Sequence, residues 1–204
     1  MLQIKSKYKI AKRLGAGIFE QTQTQKFALS EARSKGVKKT GRGGRGGSDY
    51  GKQLLEKQKI RFTYGLAEKQ LSNYAAEAFK AKDPSSELNK ALEMRADSVV
   101  YRATLAPTRR AARQAVSHGH ILINGTRTTR PSHRIKVGDT ITIREGSRTS
   151  PLFAGLADKE NGRSIPKWLD VDMGLLTVKV TAEPQYSPAE TSLDYPTLFE
   201  FYSR

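Results

Sequence analysis

The chain has 204 residues, and 36 lysines and arginines against 20 aspartates and glutamates give it a net charge of +16. No segment approaches the roughly 18 consecutive apolar residues of a membrane-spanning helix, no apolar segment typical of a secretory signal follows the basic N-terminus, and a chain without cysteine forms neither disulfides nor thiolate zinc sites. These features predict an intracellular chain of one medium domain or two small ones with a polyanionic partner, nucleic acid before an anionic membrane surface.

The charge is unevenly distributed along the chain. Residues 1–50 carry 12 basic and 3 acidic side chains, and residues 96–150 carry 10 basic and 3 acidic ones. Residues 151–204 reverse this balance, with 5 basic and 8 acidic side chains. We therefore expect the first and third of these segments to contact a polyanion, and the last to face solvent or another protein.

The first 47 residues are basic and poor in helical periodicity. Ile10 and Leu14, four positions apart, allow one or two helical turns near the N-terminus. Residues 21–47 lose this spacing and end in KKTGRGGRGG, a run that costs too much backbone entropy to order alone. The segment is either a flexible linker or, in the interpretation we favour, a basic arm that orders against RNA. The run GRGGRG also fits the G-x-G-x-x-G fingerprint, but no strand precedes it, so we reject a dinucleotide site.

Two helices are predicted between residues 48 and 82. Ser48 or Asp49 can cap the first helix, and Gly65 marks a break after it. The apolar positions at helical spacing are Leu55, Phe62 and Leu66 in the first helix and Leu71, Tyr74, Ala75, Ala78 and Phe79 in the second. We interpret the three aromatic members of this set as core, because aromatic side chains at helical spacing are more often buried than available to stack on bases.

The run TRRAARQAVSHGHILING, residues 108–125, predicts a helix, a strand and a tight turn. Thr108 can serve as the N-cap of a helix that ends near residue 117, and Gly119 suits the left-handed position after it. Ile121–Ile123 has the composition of a short strand, and Asn124-Gly125 is typical of a two-residue hairpin turn.

Three arginines share one side of this predicted helix. At about 100° per residue, Arg109, Arg110 and Arg113 fall within one arc with their guanidinium groups facing out, while small apolar residues project the opposite way. A row of this kind is often only a solvated surface. It also suits phosphate binding, since a planar guanidinium matches phosphate oxygens with two hydrogen bonds.

Further elements are predicted on both sides of this run. A helix before it is indicated by Leu88, Leu92, Val99, Val100 and Ala103. After it, the alternation in residues 140–144 predicts a half-buried strand led in by a turn at residues 138–139, and residues 175–180 offer one more strand. Residues 197–202 predict a short final helix.

Two runs of the sequence resemble known proteins. Residues 108–125 resemble the helix and hairpin of the S4-type RNA-binding domain. Residues 48–74, SDYGKQLLEKQKIRFTYGLAEKQLSNY, resemble the signature helix pair of the bacterial-type small-subunit ribosomal protein S-four family. The basic start that ends in Arg13-Leu14-Gly15 and the terminal run FEFYS extend this resemblance over essentially the whole chain.

The resemblance implies an α+β fold, a helical N-terminal domain with an inserted S4-type RNA-binding domain of short helices and a small antiparallel sheet. We expect a basic, flexible arm at 1–47, a helical domain at 48–92 completed by 187–204, and the S4-type domain at 93–186. The sequence departs from the family where GRGGRGG replaces the usual Pro-Gly-x-His-Gly turn. It also lacks the N-terminal cysteines with which some members hold zinc, so we expect no metal and no cofactor.

The function that the resemblance implies is that of a structural constituent of the small ribosomal subunit. Such a protein binds the 5′ domain junction of small-subunit (16S-type) rRNA early, nucleates assembly of the 30S body and, with small-subunit ribosomal protein S-five, supports translational accuracy near the region where mRNA enters. We expect a non-enzyme of the cytoplasmic, bacterial-type ribosome without membrane contact, and an organellar ribosome stays open. The expected RNA-binding residues are Lys5, Lys7, Lys9, Lys12, Arg13, Lys38, Lys39, Arg42, Arg45, Tyr50, Lys57, Lys59, Arg61, Thr108, Arg109, Arg110, Arg113, Ser117, His118, His120, Asn124 and Arg127.

Two other classes of S4-domain protein fit the sequence less well. A pseudouridine synthase with an appended S4-type domain needs a catalytic domain that residues 1–90 do not offer, and the block at 48–74 argues against a free-standing S4-domain regulator. The three histidines supply little material for a metal site, so we expect His118 and His120 to contact RNA or cap the helix end. Asp170, Asp172, Glu183 and Glu190 either face water or contact a basic neighbour such as protein S-five.

Overall fold

The computed structural model describes residues 6–14, 18–36, 48–153, 164–187, 191 and 193–203. The chain divides into two compact units, a helical unit of residues 1–85 and 187–204 and a sheet unit of residues 86–186. The predicted α+β class is confirmed. The first boundary lies between residues 85 and 86, inside a helix that we had assigned to the helical domain.

The helices of the described residues are α1 (Lys7–Leu14), α2 (Gln25–Gly36), α3 (Asp49–Thr63), α4 (Glu68–Ala78), α5 (Pro84–Glu93), α6 (Ala96–Arg102), α7 (Arg109–Ser117), α8 (Glu145–Arg148) and α9 (Tyr195–Tyr202), and a 3-10 turn spans Glu20–Gln23. The strands are β1 (Ile121–Ile123), β2 (Thr126–Arg127), β3 (Thr140–Ile143), β4 (Leu169–Asp172) and β5 (Thr177–Val180). Within the described residues, no helix is both long and apolar enough to cross a bilayer.

The N-terminal segment contains more regular structure than its sequence suggests. Helix α2 occupies residues for which we expected none, so that expectation was wrong. The cause is packing between distant residues: Ala11, Phe19 and Phe27 form a buried cluster with Phe62 of α3 against it. Such contacts leave no periodicity within α2 itself. Residues 37–47 of the predicted arm at 1–47 lie outside the described residues.

Helices α3 and α4 form the predicted pair. Ser48 caps α3, since its hydroxyl accepts a hydrogen bond from the Gly51 N–H at 3.2 Å. Gly65, with φ +63°, interrupts the helical backbone between α3 and α4. Ile60, Leu66 and Leu71 are fully buried. The three aromatic residues that we predicted as core are less buried than expected. Phe62 and Tyr74 are only half-buried, and Phe79 is 42% exposed because it covers the edge of Phe199 from outside, with ring centroids 4.6 Å apart.

Helix α9 completes the helical unit. It begins two residues before the predicted start, where Asp194 caps it by accepting a hydrogen bond from the Thr197 N–H at 3.1 Å. Tyr195, Leu198 and Phe199 are buried, and the hydroxyls of Tyr64 and Tyr195 lie 3.4 Å apart. The C-terminal segment therefore packs on the residues of α3.

The sheet unit contains one antiparallel sheet of the order β2-β1-β3-β5-β4 in the described residues. Ile123, Ile141, Val178 and Val171 lie side by side across four strands. This apolar row packs against α6 and α7 through Val99, Val100, Ala112 and Val116. The predicted helix at 109–117 and the strands at 121–123 and 140–143 are confirmed, whereas β4 was not predicted and the residues from 88 to 103 form two helices instead of one.

Candidate nucleic-acid interface

Helix α7 is fixed by a cap at its start and by an apolar face. The Thr108 hydroxyl accepts a hydrogen bond from the Ala111 N–H at 3.0 Å, as expected for an N-cap. The Thr108 hydroxyl is therefore engaged in capping the helix, although we predicted Thr108 as an RNA contact. Ala112 and Val116 are fully buried on the sheet side. The arginines of α7 consequently project away from the sheet.

Two of the three arginines in the predicted row do not face out freely. The Arg109 guanidinium lies over the Tyr101 ring, 4.6 Å from its centroid, and its Nη2 is 3.3 Å from Oε1 of Glu93. Arg113 Nη1 is 3.8 Å from Oδ2 of Asp97. Their side chains are only 17% and 19% exposed, which corrects the expectation that the whole row presents guanidinium groups to solvent.

The reason is a pair of buried carboxylates on the neighbouring helices. Glu93 receives two hydrogen bonds from Arg102, at 2.7 and 2.8 Å. Asp97 likewise receives two from the buried Arg95, at 2.9 and 2.7 Å. A buried carboxylate needs cationic partners, because leaving it unpaired costs several kcal/mol. Arg109 and Arg113 join these networks for that reason.

Arg110 is the exception in the row. Its side chain is exposed, and it makes no ion pair with the part of the chain that the structure describes. Of the three arginines, Arg110 is therefore the one whose guanidinium is available to a phosphate without breaking an internal contact.

The C-terminal end of α7 is covered by Arg127. Gly119 follows the helix with φ +71°, and a Cβ atom at this position would collide with Nε of Arg127. Arg127 Nη2 also donates a hydrogen bond to the His118 carbonyl at 3.2 Å. A cation at this end of a helix is favoured by the helix dipole. Arg127 thus contacts the helix end, yet stays exposed to solvent.

The two histidines at this helix end differ in their surroundings. His118 is exposed, whereas His120 is half-buried, with Nδ1 2.9 Å from the Ser147 hydroxyl and its ring against Phe153. No group of three His, Asp or Glu side chains within the described ranges is arranged to hold a metal ion. Ser117, one residue before His118, is exposed at the end of α7.

The hairpin turn uses its asparagine internally. Asn124 has φ +49°, Gly125 has φ +78°, and the predicted turn is confirmed. Asn124 Nδ2 donates to Asp139 at 2.8 Å, and its Oδ1 accepts from the Thr140 N–H at 2.9 Å. Both ends of the side chain are engaged, which disfavours the RNA contact that we expected from Asn124.

In the helical unit, the side chain of Lys57 is held largely inside the fold. Its side chain is 11% exposed, Nζ is 2.8 Å from Glu68, and the ammonium lies 4.2 Å from the Phe201 ring centroid. Lys59 pairs with Glu56 on the same helix. The resemblance of residues 48–74 led us to expect RNA contacts from both lysines. The ammonium group of Lys57, however, already contacts Glu68 and Phe201.

A hydrogen-bonded cluster around Glu68 extends these contacts. Arg61 donates to the Leu66 carbonyl at 3.2 Å and lies 3.7 Å from Glu68, to which Tyr202 also donates at 3.1 Å. Burial favours a higher pKa for Glu68, but Lys57, Tyr202 and Arg61 outweigh it, and the pKa lies below 4.5. Burial and the neighbouring Glu68 raise the pKa of Tyr202 above its usual value.

The other residues of the helical unit that we predicted to bind RNA differ in their exposure, and some lie outside the described residues. Tyr50 is half-exposed, with its ring 5.7 Å from that of Phe201. Lys12 donates to the Ser30 carbonyl at 2.9 Å. Lys9 and Arg13 are exposed, and Lys7 is half-buried. The predicted Lys5, Lys38, Lys39, Arg42 and Arg45 lie outside the described residues.

Sequence reasoning missed several exposed cations of the sheet unit. They are Arg130, Arg134, Lys136, Arg144 and Arg148. Each follows or precedes a strand at an irregular interval, so no helical or alternating spacing marks them as a set. The one indication of these cations in the sequence is the excess of basic side chains in residues 96–150.

Two family models match the chain in adjoining segments. The ribosomal protein S4/S9 N-terminal domain matches residues 3–94, and the S4 domain matches residues 94–141. The second match includes α7 and the hairpin, where the arginines and histidines described above lie.

Curated proteins named small ribosomal subunit protein uS4 are similar over most of the chain. The protein of Persephonella marina is 44% identical over 158 residues, which cover 76% of this chain and 77% of that protein. The protein of Borrelia turicatae is 38% identical over 202 residues, 98% of this chain and 96% of its own length. The protein of Levilactobacillus brevis is 41% identical over 159 residues, 77% and 78% of the two chains.

Proposed function

The chain belongs to the family of small ribosomal subunit protein uS4, and from this premise we propose that it binds 16S-type rRNA at the 5′ domain junction and nucleates assembly of the 30S body. As a member of that family it is a structural, non-enzymatic ribosomal protein with an S4 RNA-binding domain. The observation that carries the proposal is the combination of a +16 chain with exposed arginines around α7.

The mechanism follows from the physical chemistry of phosphate binding. Exposed lysines and arginines replace the cations condensed on RNA, and the released ions make binding favourable and strongly salt-dependent. Helical RNA displays few base edges that side chains can read, so recognition depends largely on shape and on the phosphate backbone. Arg110 and Arg127 on the sheet unit and Lys9 and Arg13 on the helical unit are exposed contacts of this kind.

The finer parts of the proposal concern the position of the protein in the ribosome. We place it beside the region where mRNA enters, in contact with small-subunit ribosomal protein S-five, in the cytoplasm. The excess of carboxylates in residues 151–204 supports a protein neighbour for this segment, since carboxylates repel the phosphates of RNA.

The test has two parts. The protein is expressed with an affinity tag, and we expect it to co-sediment with 30S particles after a high-salt wash. In a filter-binding titration, the 5′ domain of 16S rRNA should bind with an affinity that falls steeply and linearly on a log–log plot against salt. Absence from 30S particles together with binding to other RNAs would identify a free-standing regulator instead.

A further inference from the structure

We propose that a phosphate-binding surface lies at the C-terminal end of α7, where Arg144 and Arg148 join Arg127. We call Arg127, Arg144 and Arg148 the basic corner. The inference rests on the proposed function, because it takes the phosphodiester backbone of RNA as the occupant. Neither the family matches nor the sequence assigned a role to Arg144 or Arg148.

Contacts made in the fold bring the three arginines to one corner. Arg127 donates to the His118 carbonyl at 3.2 Å. The backbone N–H of Arg144 donates to the His120 carbonyl at 2.9 Å. Arg148 Nε lies 3.4 Å from the Ile143 carbonyl, and Ile143 pairs with Ile121 directly after His120. The end of α7, the start of β1 and the end of β3 therefore meet here.

The charge of this corner differs from that of the arginine row. Arg127, Arg144 and Arg148 are exposed, and the carboxylate nearest them along the chain is Glu145, which is also exposed. In the row, by contrast, Arg109 and Arg113 pair with Glu93 and Asp97, two carboxylates that they share with Arg102 and Arg95. At the corner, an incoming phosphate meets guanidinium groups that form no ion pair within the part of the chain that the structure describes, whereas at the row it competes with buried carboxylates. Binding at the corner therefore breaks no ion pair between described residues.

The corner is also partly preorganised. Arg127 is held over Gly119 by its hydrogen bond to His118, and the missing side chain at Gly119 leaves room for the guanidinium. A side chain fixed before binding loses less conformational entropy when it contacts a ligand. A fixed guanidinium also offers its two-pronged hydrogen bonding to phosphate in one orientation.

The occupant to which we commit is an RNA backbone, because three guanidinium groups complement a row of phosphates. A protein partner would have to bring carboxylates to the same place. The two are separated by the assay, in which RNA is the only added component.

The experiment compares two double variants of the full chain. Arg144→Gln/Arg148→Gln removes two charges at the corner, and Lys167→Gln/Lys179→Gln removes two exposed charges next to and within the β4–β5 hairpin. Each protein is titrated with the 5′ domain of 16S rRNA by filter binding at several salt concentrations. We expect the corner variant to bind about tenfold more weakly and its log–log salt slope to fall by about 1 to 2 units. The control should stay within about twofold of the unmodified protein.

The outcomes separate the two proposals. Equal losses in both variants, or no loss in either while the unmodified protein binds, would overturn the corner and leave the proposed function standing. An unmodified protein that fails to bind would overturn both. Thermal unfolding of each variant monitors folding, and Arg144→Lys/Arg148→Lys, which keeps the charge, should retain most of the affinity and the salt slope.

Discussion

Three arginines of α7 occupy different electrostatic environments although they lie within five residues. Arg109 is stacked on Tyr101 and paired with the buried Glu93, whereas Arg110 is exposed. We expect Arg110→Ala to lower RNA affinity several-fold and to reduce the salt slope by about 0.7 to 0.9 without changing the melting temperature. Arg109→Ala should instead destabilise the sheet unit by about 1–3 kcal/mol, because Glu93 loses a partner.

Filter binding and thermal unfolding of both variants measure these two effects separately. Unchanged stability of Arg109→Ala would show that Arg102 alone satisfies Glu93. A large loss of stability in Arg110→Ala would mean that this exposed side chain has a structural contact.

The close approach of Arg127 to Gly119 gives a second prediction at this scale. Gly119→Ala places a methyl group against the guanidinium and forces alanine to φ +71°, and we expect a loss of about 1–2 kcal/mol, most of it from the backbone, because the exposed guanidinium can move aside. Gly125→Ala is the matched control, since Gly125 has φ +78° but open space around it. Chemical denaturation should show a slightly larger loss for Gly119→Ala, because moving the guanidinium breaks its hydrogen bond to the His118 carbonyl, and the two glycine variants should lose equally in an Arg127→Ala background. Equal losses at both glycines would show that the contact with Arg127 costs nothing.

Among the helices and strands, sequence signals correctly predicted those that interactions between neighbouring residues stabilise. Helix α7 and the hairpin after it have a capping threonine, a terminating glycine and an Asn-Gly turn, all within 18 residues of sequence. Helix α2 has no such signals and depends on Phe27 packing against Phe19 and Ala11. Strand β4 is only four residues long, and its alternation of Leu169 and Val171 is too short to distinguish from chance.

Helix α9 depends on a charge cluster that gives it a pH dependence. Glu68 receives hydrogen bonds from Lys57 on α3 and from Tyr202 on α9. Because the pKa of Glu68 is lowered below 4.5 in the fold, its contribution to stability is present at pH values above 4.5 and is lost as the pH falls through the lowered pKa.

We therefore expect Glu68→Gln to destabilise the docking of α9 by about 1 kcal/mol at pH 7, a modest value because Glu68 is half-exposed. The difference from the unmodified protein should shrink as the pH falls below 4.5. Urea titrations followed through NMR signals of α9 at pH 7, 5 and 3.5 measure it. Asp49→Asn, which removes an exposed pair with Lys52, is the control. A difference that persists unchanged at pH 3.5 would contradict the proposed role of the Glu68 charge.

At the scale of the whole molecule, composition predicted the class of partner better than it predicted the contacts. The net charge of +16 indicates a polyanion without regard to fold. Which cations are available depends on tertiary contacts: Lys57 is neutralised by Glu68, eleven residues away, and covered by Phe201 from the other end of the chain. Conversely, Arg144 and Arg148 reach Arg127 only through the pairing of β1 and β3. Neither outcome is visible in a linear charge pattern.

Four carboxylates near the C-terminal end are candidates for a contact with a basic protein, and some of them already have contacts within the chain. Asp172 accepts a hydrogen bond from the Leu175 N–H at 3.0 Å, and Glu183 pairs with Lys90 at 2.7 Å, while Glu190 lies outside the described residues. Asp170 is exposed on β4, which borders the sheet in the described residues. No hydrogen bond engages its side chain within the described residues, and the charge directly opposite is the exposed Lys179 on β5.

If protein S-five covers this edge, Asp170→Lys should weaken the contact by about 0.2–1 kcal/mol, the usual value for an exposed charge pair. The melting temperature should fall slightly in Asp170→Lys, because two lysines then face each other across β4 and β5, and the affinity for rRNA should stay unchanged, because the substitution lies away from the basic corner. We expect increased miscoding in a dual-reporter assay, with a smaller increase for Asp170→Asn, which removes the charge without reversing it. A graded response of this kind requires a basic neighbour, since a carboxylate that faces only water has no partner to lose. Normal accuracy in both variants would place Asp170 in solvent and leave the acidic segment without a protein contact at β4.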